Sequence, residues 1–166
     1  NATHEEQMNL LKALEYSMAY AQDPRGWFLI MGANATGKTH LAAAISNQLT
    51  AHGKETIFIT VADLLDYLRV TFNPNAPVTF DERFQSVRTA PFLVLDDLTA
   101  SGSAWAKEKL FQIIDYRYVA QLPTVITTYL QLEELDNRIR TRILDRRRCF
   151  PFSITARDFP TRFKPR

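Results

Sequence analysis

The sequence predicts an α/β fold on a mostly parallel sheet, because short apolar runs alternate with helix-patterned segments along the chain. Two further observations point the same way. The runs are continuous rather than alternating, as expected of strands covered on both faces. The first run also passes through a glycine-bearing turn directly into an alanine-rich helix.

The elements follow in order. Thr3 and Glu6 have capping-box spacing, and Met8, Leu11, Leu14 and Met18 recur at helical spacing. A helix over 3–21 is predicted, with those four side chains on its apolar face. Pro24-Arg25-Gly26 ends it. Residues 27–31 (WFLIM) form the first strand. Lys38 to about His52 reads as a helix, with Gly53 placed to terminate it. Residues 56–60 are the second strand, and Ala62 to Phe72 the next helix, with Leu64, Leu65 and Leu68 on one face. A loop over 73–77 precedes another capping box, Thr79 and Glu82, and a short helix ending near Arg88. Residues 92–95 form the third strand, running into Asp96-Asp97. Trp105 to Gln121 is a long helix presenting Leu110, Ile113 and Ile114. Residues 124–128 are the fourth strand, Leu132 to Arg147 is helical in two pieces, and 149–154 is a fifth strand weakened by Pro151.

The 166 residues suit one domain, 1–166, and 46% hydrophobic with 23% charged residues is an ordinary globular balance. This argues against disorder, collagen or a coiled coil. No apolar run approaches the about 20 residues a membrane helix needs, and no charged-then-apolar leader opens the chain. A single cysteine, Cys149, excludes an internal disulfide and suits a reducing compartment, so a cytoplasmic location without a membrane partner is expected. With three histidines besides, a structural zinc site is not expected. The net charge of +2 is unevenly spread. The basic C-terminal segment 136–166 carries ten Lys/Arg against three acids, a net +7, which leaves −5 on the rest. Such an edge either attracts phosphates or acidic partners, or is simply a solvated basic face.

The chemistry concentrates at strand ends, where open α/β sheets bind ligands. Gly32-Ala33-Asn34-Ala35-Thr36-Gly37-Lys38-Thr39 fits G-x-x-x-x-G-K-[ST] at every fixed position, between a strand and a helix, followed by His40. Glycine lets backbone N–H groups curl round a phosphate, and the helix N-terminus aims its positive end at it. Lys38 is placed to reach the β- and γ-phosphates and Thr39 to ligate Mg²⁺, so ATP with Mg²⁺ is the expected ligand. Asp96, delivered by an apolar strand, is the candidate metal-side acid. Asp97 either orients or deprotonates a water, or caps its loop. At the end of the fourth strand, Thr127-Thr128-Tyr129 offers hydroxyls for the γ-phosphate or the attacking water, with Thr128 the chosen candidate; the other reading is polar residues ending a strand. Arg138 and Arg142 share a helix face at i, i+4, and the sequence shows no obvious acidic partners for so many arginines. They form either a solvated basic face or a source of an arginine finger for a neighbouring subunit.

Together, these motifs resemble the AAA+ domain of the bacterial helicase loaders, the DnaC and DnaI family. The likeness runs through residues 37–45 (GKTHLAAAI), 93–98 (LVLDDL), 122–128 (LPTVITT) and 138–142 (RIRTR), and covers roughly 5–155. The transposition helper ATPase IstB shares this domain, and the initiator DnaA resembles it more distantly. The resemblance implies a P-loop αβα sandwich with a five-stranded parallel sheet of order 5-1-4-3-2. It also implies ATPase activity, ATP-dependent assembly of copies, single-stranded DNA binding and delivery of the replicative helicase. On that likeness Lys38 and Thr39 match Walker A, Asp96 and Asp97 match Walker B, and Arg142 matches the arginine finger. Ser103, Trp105 and Lys107 open the long helix in a region resembling where loaders contact DNA, and Arg69, on the helix after the second strand, is a further candidate for DNA contact. Trp105 is either a partly exposed stacking residue or a core tryptophan, and Arg83 and Arg88 are further candidates.

Tyr129 stands where the family carries the sensor 1 Asn. The chain ends soon after the fifth strand, so no separate helical lid to supply a sensor 2 arginine is expected, and Arg157 is not chosen in its place. The family's amino-terminal helicase-binding domain is not expected within this chain. The competing functional classes are a transposition helper, a nucleotide-gated binding module with little hydrolysis, and a small-molecule kinase.

Overall fold

In the computed structural model, which describes residues 3–73 and 75–156, five strands pair in parallel in the order β2-β3-β4-β1-β5. They are β1 (Trp27–Gly32), β2 (Thr56–Thr60), β3 (Phe92–Asp96), β4 (Thr124–Thr128) and β5 (Cys149–Ile154). This is the expected order read from the other edge. Arg157, Arg162, Lys164 and Arg166 lie outside the described residues.

The period-two alternation of strand side chains divides the interior into two cores. Leu29, Leu93, Leu95 and Ile126 face helices α3 (Val61–Arg69), α4 (Phe80–Arg88), α5 (Ala104–Val119) and α6 (Asn137–Ile143). Phe28, Ile30, Phe92, Val94 and Val125 face α1 (His4–Gln22) and α2 (Lys38–Ala51). Pro151 is tolerated because β5 is an edge strand, hydrogen-bonded on one side to β1.

Both predicted capping boxes form: Thr3 with Glu6 and Thr79 with Glu82. Other boundaries shift for local reasons. Thr60 caps α3 one residue early by accepting from the Asp63 N–H, and Val70–Phe72 tightens into a 3-10 turn before the prolines. Ser103 caps α5, which ends at Val119 rather than Gln121, where the backbone turns to φ 56. The segment 132–147 splits into a 3-10 turn, Leu132–Glu134, and α6; residues 144–148 form a turn instead of continuing the helix.

Helix α1 departs from expectation in its orientation. Met8, Leu11, Leu14 and Met18 are 42–53% exposed, while Ala13, Ser17 and Ala21 face the core. Small side chains at i, i+4, i+8 allow α1 to lie close against the alanine-rich α2, which the larger stripe would prevent. The Ser17 hydroxyl is satisfied by the Ala13 carbonyl at 2.7 Å.

Arg117 of α5 is fully buried. Its guanidinium donates to the Thr124 hydroxyl (2.9 Å) and to the carbonyls of Arg88 (3.1 Å), Ala90 (2.8 Å) and Pro123 (2.7 Å). Burial pushes its pKa down to about 10, and Tyr20 opposes that shift. The side chain thus ties the end of α4 and the entries to β3 and β4 to one point. Arg117→Ala strands several buried carbonyls, and a loss of about 3 kcal/mol or more is expected. The check is a lower urea midpoint at unchanged m-value; a midpoint like that of the wild type would refute the role.

Candidate nucleotide site

The loop from β1 to α2 is held in shape by its own backbone. Gly32 adopts φ 149, and a Cβ there would sit 2.7 Å from the Ile154 carbonyl oxygen, so no larger residue fits without displacing β5. Ala35 (φ 59) and Gly37 (φ 92) provide the two left-handed turns that bend the chain into the helix. Gly37 is the N-cap of α2 and contributes no side-chain cap, and the first turn of α2 contains no acid. A 14-residue helix therefore presents its positive end to the loop without a competing carboxylate of its own.

Thr36 donates to the Ala33 carbonyl at 2.9 Å, and the Lys38 amine donates to the same oxygen at 2.6 Å. Lys38 is buried, and burial pushes its pKa below the usual lysine range, with Asp97 and then Asp96 pulling it back up. Asn34, Ala35, Thr39 and His40 line the exposed side of the loop and helix start.

The end of β3 meets this loop. The Thr39 hydroxyl lies 3.1 and 3.0 Å from the two carboxylate oxygens of Asp96, which is buried. A second hydroxyl, Thr127, donates to the same carboxylate at 2.6 Å and accepts from the Asp97 N–H at 2.9 Å. Asp97 is exposed, with left-handed φ 58. A buried carboxylate flanked by two hydroxyls, one on the helix that follows the loop, is a donor set suited to a hard cation such as Mg²⁺.

The structure brings Gly32–Thr39, Asp96 and Asp97 together but corrects Thr128. Its side chain is fully buried, donates to the Leu98 carbonyl at 2.6 Å and accepts from the Leu130 N–H at 3.1 Å. Strand parity is the reason. Thr127 shares the α1/α2 side with Val125, whereas Thr128 shares the opposite side with Ile126. That parity was the signal available in the sequence. Tyr129 is 43% exposed beyond the strand.

The arginines of α6 are also not as expected, since acidic partners on α5 meet them. Arg138 pairs with Glu108 at 2.8 Å and lies near Asp136 at 3.4 Å. Arg142 donates from Nε (2.9 Å) and Nη2 (2.6 Å) to Asp115. The two α5 acids, Glu108 and Asp115, lie 30 and 27 residues from the arginines they meet, so spacing along the chain gave no sign of them.

The three candidates for DNA contact lie in one region. Arg69 is 5.5 Å from the Trp105 ring centroid. Trp105 is half-buried against Phe72 (5.3 Å, edge-on) and Phe80 (6.4 Å). Ser103 is exposed but its hydroxyl caps α5, accepting from the Ala106 N–H at 3.2 Å. Phe72, at 60% exposure, is the aromatic that sequence reasoning missed, having been placed at the end of a predicted helix. Arg83 and Arg88 stack on Tyr67 (4.2 Å) and Tyr116 (4.4 Å).

Sheet order and loop geometry together make this a parallel α/β core that carries a candidate nucleotide site between β1 and α2. The chain belongs to the family of IstB-like ATP binding proteins, whose pattern matches residues 3–148. The replicative helicase loader DnaC of Escherichia coli K12 is 34% identical over 146 residues, 87% of this chain. The chain spans 59% of the length of that relative. A crystal structure of the DnaC helicase loader superposes with a TM-score of 0.76 at 24% identity, over 89% of this chain and 90% of that one. The replication initiator DnaA bound to AMPPCP and single-stranded DNA gives 0.69 at 18% identity, over 85% and 44%. Among the described residues, no helix is long and apolar enough to cross a membrane.

Replacing Thr127 by Val removes a hydroxyl from Asp96, and a weaker Mg²⁺ requirement for nucleotide binding is expected, read as loss of the Mg²⁺-dependent part of the affinity. Thr128→Val should instead cost about 1–3 kcal/mol of stability and leave that part intact. The reverse pattern would restore Thr128 to the site.

Proposed function

We propose that this chain is the ATP-hydrolysing core of a replicative helicase loader that works on single-stranded DNA and assembles with further copies of itself when ATP is bound. The observation that carries the nucleotide half is the Thr39–Asp96–Thr127 cluster beside the Lys38 loop. The 34% identity to DnaC supports the loader half over the transposition helper that shares the domain.

In this reading the loop N–H groups and the start of α2 bind the triphosphate, with Lys38 donating to the β- and γ-phosphates. Thr39 and Asp96 would hold Mg²⁺, which when bound neutralises phosphate charge. Thr127 orients Asp96 by donating a hydrogen bond to it. Asp97, free on the solvent side, orients a water for attack on the γ-phosphate and takes its proton. Arg142 reaches the γ-phosphate of a neighbouring copy. Tyr129 in the sensor 1 position supports the variant in which binding outruns hydrolysis, and for this reason binding and turnover are measured separately.

Single strands are gripped without reading sequence by cations along the backbone and aromatic faces under the bases. Arg69, Phe72 and Trp105 combine these at the junction of α3 and α5. The test is phosphate release by the full chain with and without single-stranded DNA. Stimulation is expected; transfer of the γ-phosphate to a small acceptor would instead make the chain a kinase. Lys38→Ala should abolish binding of a fluorescent ATP analogue. Phe72→Ala and Trp105→Ala should each weaken single-strand binding by about 1–3 kcal/mol while leaving ATP affinity unchanged, and unchanged DNA affinity in both would remove this surface from the proposal.

A further inference from the structure

One face of α5 carries Glu108, Phe111 and Asp115 at i, i+3, i+7, and it packs against Arg138 and Arg142 of α6. The Arg138 guanidinium sits 4.1 Å from the Phe111 ring centroid and that of Arg142 sits 5.0 Å from it. Asp115 accepts from both Nε and Nη2 of Arg142 on a single oxygen, and Nη1 donates to the Arg138 carbonyl at 3.0 Å. A guanidinium has five N–H donors in one plane. Three are committed here, so each terminal nitrogen keeps one N–H. The ring contact and the three bonds fix the plane of the group and leave one N–H on each of Nη1 and Nη2 to donate to phosphate oxygens.

We propose that Asp115 is a positioning residue: it holds Arg142 in the orientation from which those two donors engage the γ-phosphate bound by a neighbouring copy. This rests on the reading of Arg142 as an arginine that acts in trans. The pair is partly open to solvent, with 26% of the Arg142 side chain and 36% of the Asp115 side chain exposed, so it adds little to folding stability. Its effect is on geometry. A free arginine must give up its rotamers when it meets the phosphate, whereas a pre-oriented one has already done so.

The experiment mixes two variants of the full chain. Lys38→Ala copies cannot bind ATP but can supply Arg142; Arg142→Ala copies bind ATP but lack the arginine. Recovered turnover in the mixture is expected, and it reports Arg142 acting across copies. Adding Asp115→Ala to the Lys38→Ala copy should lower the recovered turnover about tenfold to a hundredfold, with the KM for ATP unchanged. Asp115→Asn, whose amide oxygen still accepts the two bonds without the charge, should fall between that variant and the parent. Adding Asp115→Ala to the Arg142→Ala copy should change nothing, and the thermal midpoints of all variants should agree within a few degrees. No loss from the Lys38→Ala side, or equal loss from both sides, overturns the role of Asp115 while leaving trans action standing. A mixture that recovers no turnover overturns trans action by Arg142, and this inference with it.

Discussion

A carboxylate taken out of water must be hydrogen-bonded, and the buried Asp96 meets that constraint with hydroxyls from two separate elements. Thr39 comes from the first turn of α2 and Thr127 from the end of β4. The bonds can form because β4 is inserted between β1 and β3, which brings the ends of three strands and one helix to the same place. The shape of the site therefore follows from sheet order. If β4 stood elsewhere, Asp96 would have one hydroxyl fewer and the Asp97 N–H would lose its acceptor on Thr127. Arg117 secures the same strands at their other end, where it binds the residues that lead into β3 and β4.

Much of this was legible in the sequence because the signals are local. A strand, a glycine-bearing loop and a helix in succession specify β1, the candidate phosphate loop and α2, and the capping boxes at Thr3 and Thr79 fix the N-caps of two helices. The features that were not legible depend on partners remote in sequence. The α1 stripe of Met8, Leu11, Leu14 and Met18 has helical period, yet small residues on the other face won, since only they permit close packing on α2. Periodicity identifies a helix; choosing the buried face requires knowing how near its neighbour lies. The α5 carboxylates of Glu108 and Asp115, which meet Arg138 and Arg142, are likewise 30 and 27 residues away.

Those ion pairs also change the meaning of the charge asymmetry. Counted along the sequence, the segment from residue 136 is strongly basic. In space, Glu108, Asp115, Asp136 and Asp145 stand beside Arg138, Arg142 and Arg148. What remains openly cationic among the described residues of this segment is Arg140, which donates to the Asn137 amide oxygen and the Glu133 carbonyl, together with Arg146 and Arg147, exposed in the turn before β5. A net charge over a segment thus overstates the field it projects, because two of the neutralising groups, Glu108 and Asp115, arrive from α5, outside the count.

Helix α5 joins the proposed functions mechanically. It starts just beyond the turn that follows Asp97, carries Trp105 in its first turn, and presents Asp115 to Arg142 ten residues later, about 15 Å along the axis. A helix buried along one face by Leu110, Ile113 and Ile114 and pinned near its end by Arg117 holds the Trp105 surface and the Asp115–Arg142 pair at one fixed spacing. Any rearrangement of the Asp97 turn that shifts the start of α5 must therefore displace the Trp105 surface and the Asp115–Arg142 pair together. The nucleotide, the proposed single strand and the proposed neighbouring copy would then be linked through one helix, without a separate relay for each.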